Sequence, residues 1–286
     1  MAFLRLIRFQ NLLIIGLTMI GVQQTLLREP LNSQWNIAYL LFILSTVLIA
    51  AAGNSINDYF DLRSDRLNRP DKIVIGKHLK KRWAIIIHWG FNAIAVLISI
   101  FLGIYLDTWF FVIIHLFSST LLWYYSVYFK KVFFWSNIVI ASLVALIPLI
   151  SWAFLTILGV PTEHEVLVVF FTTFAFLLTF SREIIKDLQD REGDQLVHVR
   201  SIPLVLGANR AKIIVAVSCG VTLLLYLGLI AFYVPNHQPL FLILLSTAVM
   251  ISALVTFLSF WNIPPSMLSL LLKISMLTGV ISLFCL

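Results

Sequence analysis

Hydrophobic residues in this chain run in long unbroken stretches rather than alternating with polar ones. A stretch of about 20 apolar residues is long enough to cross a bilayer as a helix. Nine such stretches are read, at 10–27, 36–56, 83–105, 108–128, 133–157, 165–185, 211–233, 239–260 and 265–285. Membrane strands would show alternation over roughly ten residues, so the pattern predicts an all-α, polytopic membrane protein, a bundle of nine transmembrane helices. Polar and proline breaks set the limits: Arg28–Glu29–Pro30, Asp107, Lys130–Lys131, Pro161 with Glu163–His164–Glu165, Pro235 to Pro239, and Pro264–Pro265. No break suggests a second domain, and residues 1–286 are expected to form one transmembrane domain.

Composition supports this reading. Of the 286 residues, 60% are hydrophobic and only 12% charged, where a soluble domain carries about 25% charged residues. The N-terminal MAFLRLIRFQNLL resembles a signal peptide, but no small-residue cleavage site follows, so a retained first helix is expected. Cys219 and Cys285 fall in apolar runs and suggest no disulfide framework. The six histidines have no ligand spacing, which argues against a zinc or haem site.

Charge then gives an orientation. Lys and Arg concentrate in the N-terminal tail and in the loops after the second, fourth and sixth spans, which together hold 18 of the 20. The positive-inside rule places the N-terminus and these loops in the cytoplasm of a multi-pass protein of the cell (inner) membrane, with the C-terminus outside. The net charge of +7 belongs to this face. It suits anionic membrane lipids and gives no reason to expect nucleic acid.

The acids gather on the same side, which the positive-inside rule does not require. Nine of 13 lie in two stretches, four from Asp58 to Asp71 and five from Glu183 to Asp194. In the first, GNSINDYFDLRSD, Asn57, Asp61 and Asp65 fall four residues apart and share one face of a helix. In the second, SREIIKDLQDREGD, steps of four, three and four put Glu183, Asp187, Asp190 and Asp194 on one face. Crowded carboxylates repel unless a cation sits among them, and hard oxygen ligands suit Mg²⁺ together with phosphate oxygens. Two such Asp-rich cytoplasmic sets are able to grip one diphosphate. Bases that fit the same ligand follow: Arg63, Arg66, Arg69, Lys72 and Lys77 after the first set, and Lys130 and Lys131 after Tyr124 and Tyr125. Arg8 and Asn11 open the first span on this side, where they could reach the same ligand.

With these motifs in place, the chain resembles the UbiA superfamily of intramembrane prenyltransferases over essentially its whole length. The family pattern is NxxxDxxxD after the second helix and DxxxD after the sixth, here Asn57–Asp61–Asp65 and Asp190–Asp194. Arg69–Pro70 and Gly76 match the extended first motif. The resemblance implies Mg²⁺ held by Asn57, Asp61, Asp65, Asp187, Asp190 and Asp194 against the diphosphate of an isoprenyl donor. Asp61, Asp65, Asp190, Asp194 and Lys130 take the catalytic roles. Lys130 with Tyr125 resembles the family's Tyr–Lys pair. Tyr125 lies five residues before Lys130 where four is common, so Tyr124 and Lys131 remain alternatives.

The resemblance also bears on the acceptor. The run REIIKDLQDREGD looks like the branch that moves geranylgeranyl onto geranylgeranylglyceryl phosphate, with Arg182 and Lys186 binding the acceptor phosphate and an alcohol oxygen as nucleophile. The alternative is prenylation of an aromatic ring. Where that ring belongs to an aromatic acid, a tyrosine commonly precedes the DxxxD by four residues; here that residue is Lys186. A transporter would place its ionisable groups nearer the bilayer midplane, where only Lys273 lies. A CDP-alcohol phosphotransferase would need a denser acidic motif.

Overall fold

The computed structural model describes residues 2–233, 238–261 and 263–286. They form helices joined by turns and short 3-10 segments, with isolated bridges at Leu27–Thr162 and Ile75–Leu79. In chain order the helices are α1 (Ala2–Leu6), α2 (Phe9–Leu26), α3 (Ser33–Asn68), α4 (Lys81–Tyr105), α5 (Phe110–Val127), α6 (Trp135–Ile157), α7 (Glu165–Gln189), α8 (Arg191–Leu196), α9 (Ile202–Leu206), α10 (Ala208–Tyr233), α11 (Pro239–Ser259) and α12 (Pro265–Ser282). Among the described residues, eight helices are long and apolar enough to cross a membrane. The expected first span, α2, has 18 residues, but Gln10, Asn11, Gln23 and Gln24 dilute its apolar character. Side chains such as Leu97, Ile104, Ile113, Leu224 and Met250 are more than half exposed. On an integral membrane protein these are lipid-facing positions.

The helix limits follow local chemistry. Asn32 caps α3, its Oδ1 accepting the Trp35 N–H at 2.9 Å. The helix then continues 12 residues past the end of the expected apolar span. At 36 residues it is about 54 Å long, well beyond a hydrocarbon core of about 30 Å, so its C-terminal turns carry the first acidic set clear of the apolar layer. It stops at Arg69 (φ −147°, ψ 56°), which Pro70 keeps out of the helical region.

The chain divides into two compact units, Met1–Gly16 with Glu29–Lys130, and Leu17–Arg28 with Lys131–Leu286. In the first, α3, α4 and α5 pack together. Buried polar groups tie them: Ser55 Oγ donates to Ala84 O at 3.0 Å, His88 Nδ1 meets Ala52 O at 3.1 Å, and His115 lies between Ser99 and Thr46. Gly53 lets α3 approach α5, since a Cβ there would lie 2.8 Å from Leu122 Cδ1. Leu6, Val74, Ile75 and Ala84 form a small core that fixes the segment after α3.

In the second unit α6, α7, α10, α11 and α12 pack together. Ser218 Oγ donates to Leu177 O at 3.0 Å, and Ser275 Oγ to Ala248 O at 2.7 Å. Without a hydrophobic driving force in lipid, such bonds and close small-residue contacts hold helices together. Gly279 supplies one: a Cβ there would stand 2.8 Å from Phe174 Cε1.

Candidate active site

In the first unit the NxxxD spacing works as one turn of helix should. Asn57 Nδ2 donates to Asp61 Oδ2 at 2.7 Å. Asp61 is buried, and Asp65 follows half-buried on the next turn. Lys130, in the 3-10 segment Phe129–Lys131 past α5, forms an ion pair with the same Oδ2. Burial alone would pull the Lys130 pKa down, but the Asp61 carboxylate, helped by Tyr125 and Asp65, raises it above the ordinary lysine value. Lys130 is therefore a firm cation.

The same geometry separates the alternatives at the end of α5. Tyr125 is buried and acts electrostatically on Lys130, whereas Tyr124 is 54% exposed. The Lys131 side chain is exposed, and its carbonyl accepts the Arg200 N–H at 3.2 Å.

Asn57 and Asp58 diverge as neighbours on a helix must. Asp58 turns to Arg8, whose Nη2 donates to Asp58 Oδ1 at 2.9 Å. Asn54 Nδ2 donates to Ile7 O at 3.0 Å, so the junction of α1 and α2, with Arg8 and half-buried Asn11, is fastened to α3. Arg69 closes α3, its N–H reaching Asp65 O at 2.9 Å. Lys72 ends a 3-10 turn, and its side chain lies outside what is described. Lys77 is exposed, next to Gly76, whose φ of 84° makes the tight turn back to α4.

The second acidic set departs from the expected single helical face. The α7 helix ends at Gln189, Asp190 is the junction residue, and Asp194 belongs to α8. The run QDREGD turns before it resumes, with the Asp194 N–H on Asp190 O at 3.0 Å. Asp187 and Asp190 are half-buried and Asp194 is buried. Glu183 is drawn off into ion pairs, with Lys186 Nζ at 2.6 Å and Arg182 Nη1 at 3.4 Å. Asn137 was not anticipated. It is 1% exposed near the start of α6 and donates from Nδ2 to Asp187 Oδ2 at 2.8 Å, while Ser136 Oγ donates to its Oδ1 at 3.1 Å. An amide inside the apolar run 133–157 was its signal.

The first set fits a hard cation. Two carboxylates and an amide contribute only oxygen ligands, and Asn57 Oδ1 is buried with no hydrogen-bond partner among the described residues. Among those residues no three His, Cys, Asp or Glu side chains converge as a ready-made metal cage. Mg²⁺ typically takes one or two carboxylates and completes its shell with water and phosphate oxygens.

A helical integral membrane protein with an oxygen-rich set and adjoining bases at the ends of two long helices is the class these observations define. The chain belongs to the UbiA prenyltransferase family, whose model matches residues 14–278. It is similar to the digeranylgeranylglyceryl phosphate synthases of Thermococcus kodakarensis (28% identity, 73% of this chain and 70% of that one) and Methanosarcina barkeri (28%, 98% and 96%). Its fold is like that of a UbiA homologue from Archaeoglobus fulgidus solved with GPP and Mg²⁺ (TM-score 0.68, 18% identity, 99% and 98% covered). It is also like that of an apo homologue from Aeropyrum pernix (0.71, 16%, 94% and 95%).

Proposed function

We propose that this protein transfers a geranylgeranyl group from its diphosphate to the alcohol oxygen of geranylgeranylglyceryl phosphate. The observation that carries the reading is Lys130 held on Asp61 beside the open Asn57 oxygen: a fixed positive charge within a set built for a cation and phosphate. Family membership supports prenyl transfer, and the synthases named above support the acceptor. One family model running through both units supports treating residues 1–286 as one functional domain.

In this reading Asn57, Asp61 and Asp65 hold Mg²⁺ in the first unit, and Asp187, Asp190 and Asp194 in the second. Bound Mg²⁺ supplies positive charge for the departing diphosphate. Lys130 and Tyr125 stabilise the same leaving group, and Arg8, Asn11, Arg69, Lys72 and Lys77 bind the donor's phosphates. Arg182 and Lys186 bind the acceptor phosphate. The allylic C1–O bond breaks and diphosphate leaves. The acceptor oxygen forms the new bond to C1 and loses its proton. The α2 helix makes the ninth crossing, and the charge bias puts the N-terminus and both acidic sets on the cytoplasmic side of the cell (inner) membrane.

The test is purified protein incubated with Mg²⁺, geranylgeranyl diphosphate and either geranylgeranylglyceryl phosphate or an aromatic acid. Product is expected with the phosphate acceptor, and product only with the aromatic acceptor would overturn the assignment. Asp61→Asn and Asp190→Asn are each expected to abolish Mg²⁺-dependent turnover. Full activity in both would refute the roles given to the two acidic sets.

A further inference from the structure

Three carboxylates project from the last turns of α3, and their counter-charges are unevenly shared. Asp58 is paired with Arg8 at 2.9 Å, and Asp61 with Lys130. Asp65, half-buried one turn on, has no ion pair among the described residues. The set assigned to Mg²⁺ is therefore open at both ends and occupied in the middle. Asn57 offers a buried Oδ1 with no hydrogen-bond partner among the described residues, and Asp65 offers its carboxylate. Between them, Asp61 Oδ2 accepts both from Asn57 Nδ2, at 2.7 Å, and from Lys130 Nζ. Two donors fill the lone-pair sites of that oxygen. A metal on Asp61 Oδ1 would face the Lys130 ammonium across a single carboxylate, where the repulsion is poorly screened.

The pair does not open freely. The Lys130 and Asp61 side chains are only 26% and 10% exposed, and separating a buried ion pair leaves each charge uncompensated. Lys130 can leave Asp61 only by exchange: another cation must reach the carboxylate as an anion reaches the ammonium. A divalent cation alone supplies half of that exchange. A diphosphate that carries the cation with it supplies both halves. Lysine suits the exchange, being a point charge with three rotatable donors on a flexible four-carbon stem.

Resting on the assignment of Asn57, Asp61 and Asp65 to Mg²⁺, we infer that Lys130 is a placeholder cation. It holds Asp61 until the donor diphosphate draws it off, so the first acidic set takes metal tightly only together with the donor. By linkage, metal and donor then raise each other's affinity by the same factor.

The experiment counts metal on the protein with neither donor nor acceptor present, so its result does not depend on the proposed reaction. Mn²⁺, which suits the same oxygen ligands as Mg²⁺, is titrated into the detergent-solubilised full chain, and the unbound ion is read by electron paramagnetic resonance. Lys130→Met is expected to bind Mn²⁺ about tenfold tighter than the wild-type protein, or more. Lys130→Gln, neutral but still able to donate to Asp61, is expected to show most of that gain and serves if Lys130→Met folds poorly. Lys130→Arg keeps the charge and is expected to show no gain. Asp65→Asn, added to either neutral variant, is expected to remove the gain. Unchanged Mn²⁺ affinity in the neutral variants, or an equal gain from Arg8→Gln, which releases Asp58 alone, would overturn the inference and leave the Mg²⁺ assignment standing. A gain that survives Asp65→Asn would put the metal elsewhere and overturn the assignment together with the inference.

Discussion

The ammonium of Lys130 rests on Oδ2 of Asp61, a residue 69 positions earlier in the chain, and Asn57 donates to the same oxygen. One carboxylate oxygen thus joins the end of α5 to the acidic face of α3. Lys130→Met is expected to lower prenyl transfer by about 100-fold or more, the usual cost of losing a preorganised charge at a leaving group. Without Mg²⁺ it also deprives a buried carboxylate of its counter-charge, at a cost of about 1–3 kcal/mol. Initial rates at saturating substrate, with melting curves in chelator, measure both. A variant with wild-type rates would remove Lys130 from the chemistry.

Asn137 donates to Asp187, a carboxylate assigned to Mg²⁺ in the proposal above. Support of this kind beneath a metal-binding carboxylate typically changes metal affinity 10- to 100-fold. Asn137→Leu is accordingly expected to raise the Mg²⁺ concentration for half-maximal rate about tenfold, with the rate recovering at high Mg²⁺. An unchanged Mg²⁺ titration would mean that Asn137 serves only to pack α6 on α7.

Gly53 lies one turn before Asn57, where α3 meets Leu122 of α5. Gly53→Val forces the helices apart, with an expected loss of about 1–3 kcal/mol typical of overpacking, and carries Lys130 away from Asp61. If displacement is the cause, Leu122→Ala in the same chain should return part of both stability and activity. Strictly additive losses in that double-mutant cycle would show the two sites to be independent.

Arg8 is paired with Asp58 in a half-exposed ion pair worth about 1 kcal/mol or less. Arg8→Gln and Asp58→Asn both break that pair, but only the first removes a positive charge from the donor side. A higher KM for geranylgeranyl diphosphate is expected in Arg8→Gln alone. Equal effects from the two would assign Arg8 to fastening the α1–α2 junction.

The sequence made some of this legible and hid the rest, for physical reasons. Four-residue spacing is a property of the helix itself, so Asn57, Asp61 and Asp65 could be placed together from their numbers, and Lys130 by resemblance. The pairing of Lys130 rather than Lys131 depends on how the chain turns after α5, which no periodicity records. Asn137 was hidden because a lone amide in an apolar run has no local partner; its partner comes from another helix. The second acidic set was misread where helical spacing was carried past Gln189. Four acids at steps of four, three and four fit one helix on paper, but the backbone turns at Asp190.

That turn distinguishes the two acidic sets. Asn57, Asp61 and Asp65 ride one continuous rod, so their mutual distances cannot change unless α3 unwinds. Asp187 and Asp194 belong to different rods, and the torsions at Asp190 (φ −97°, ψ 10°) set the span between them. A rotation of a few degrees at that single residue adjusts the spacing without breaking a hydrogen bond in α7. The first set is thus spaced by a single rod, whereas the second carries a joint within it, at Asp190.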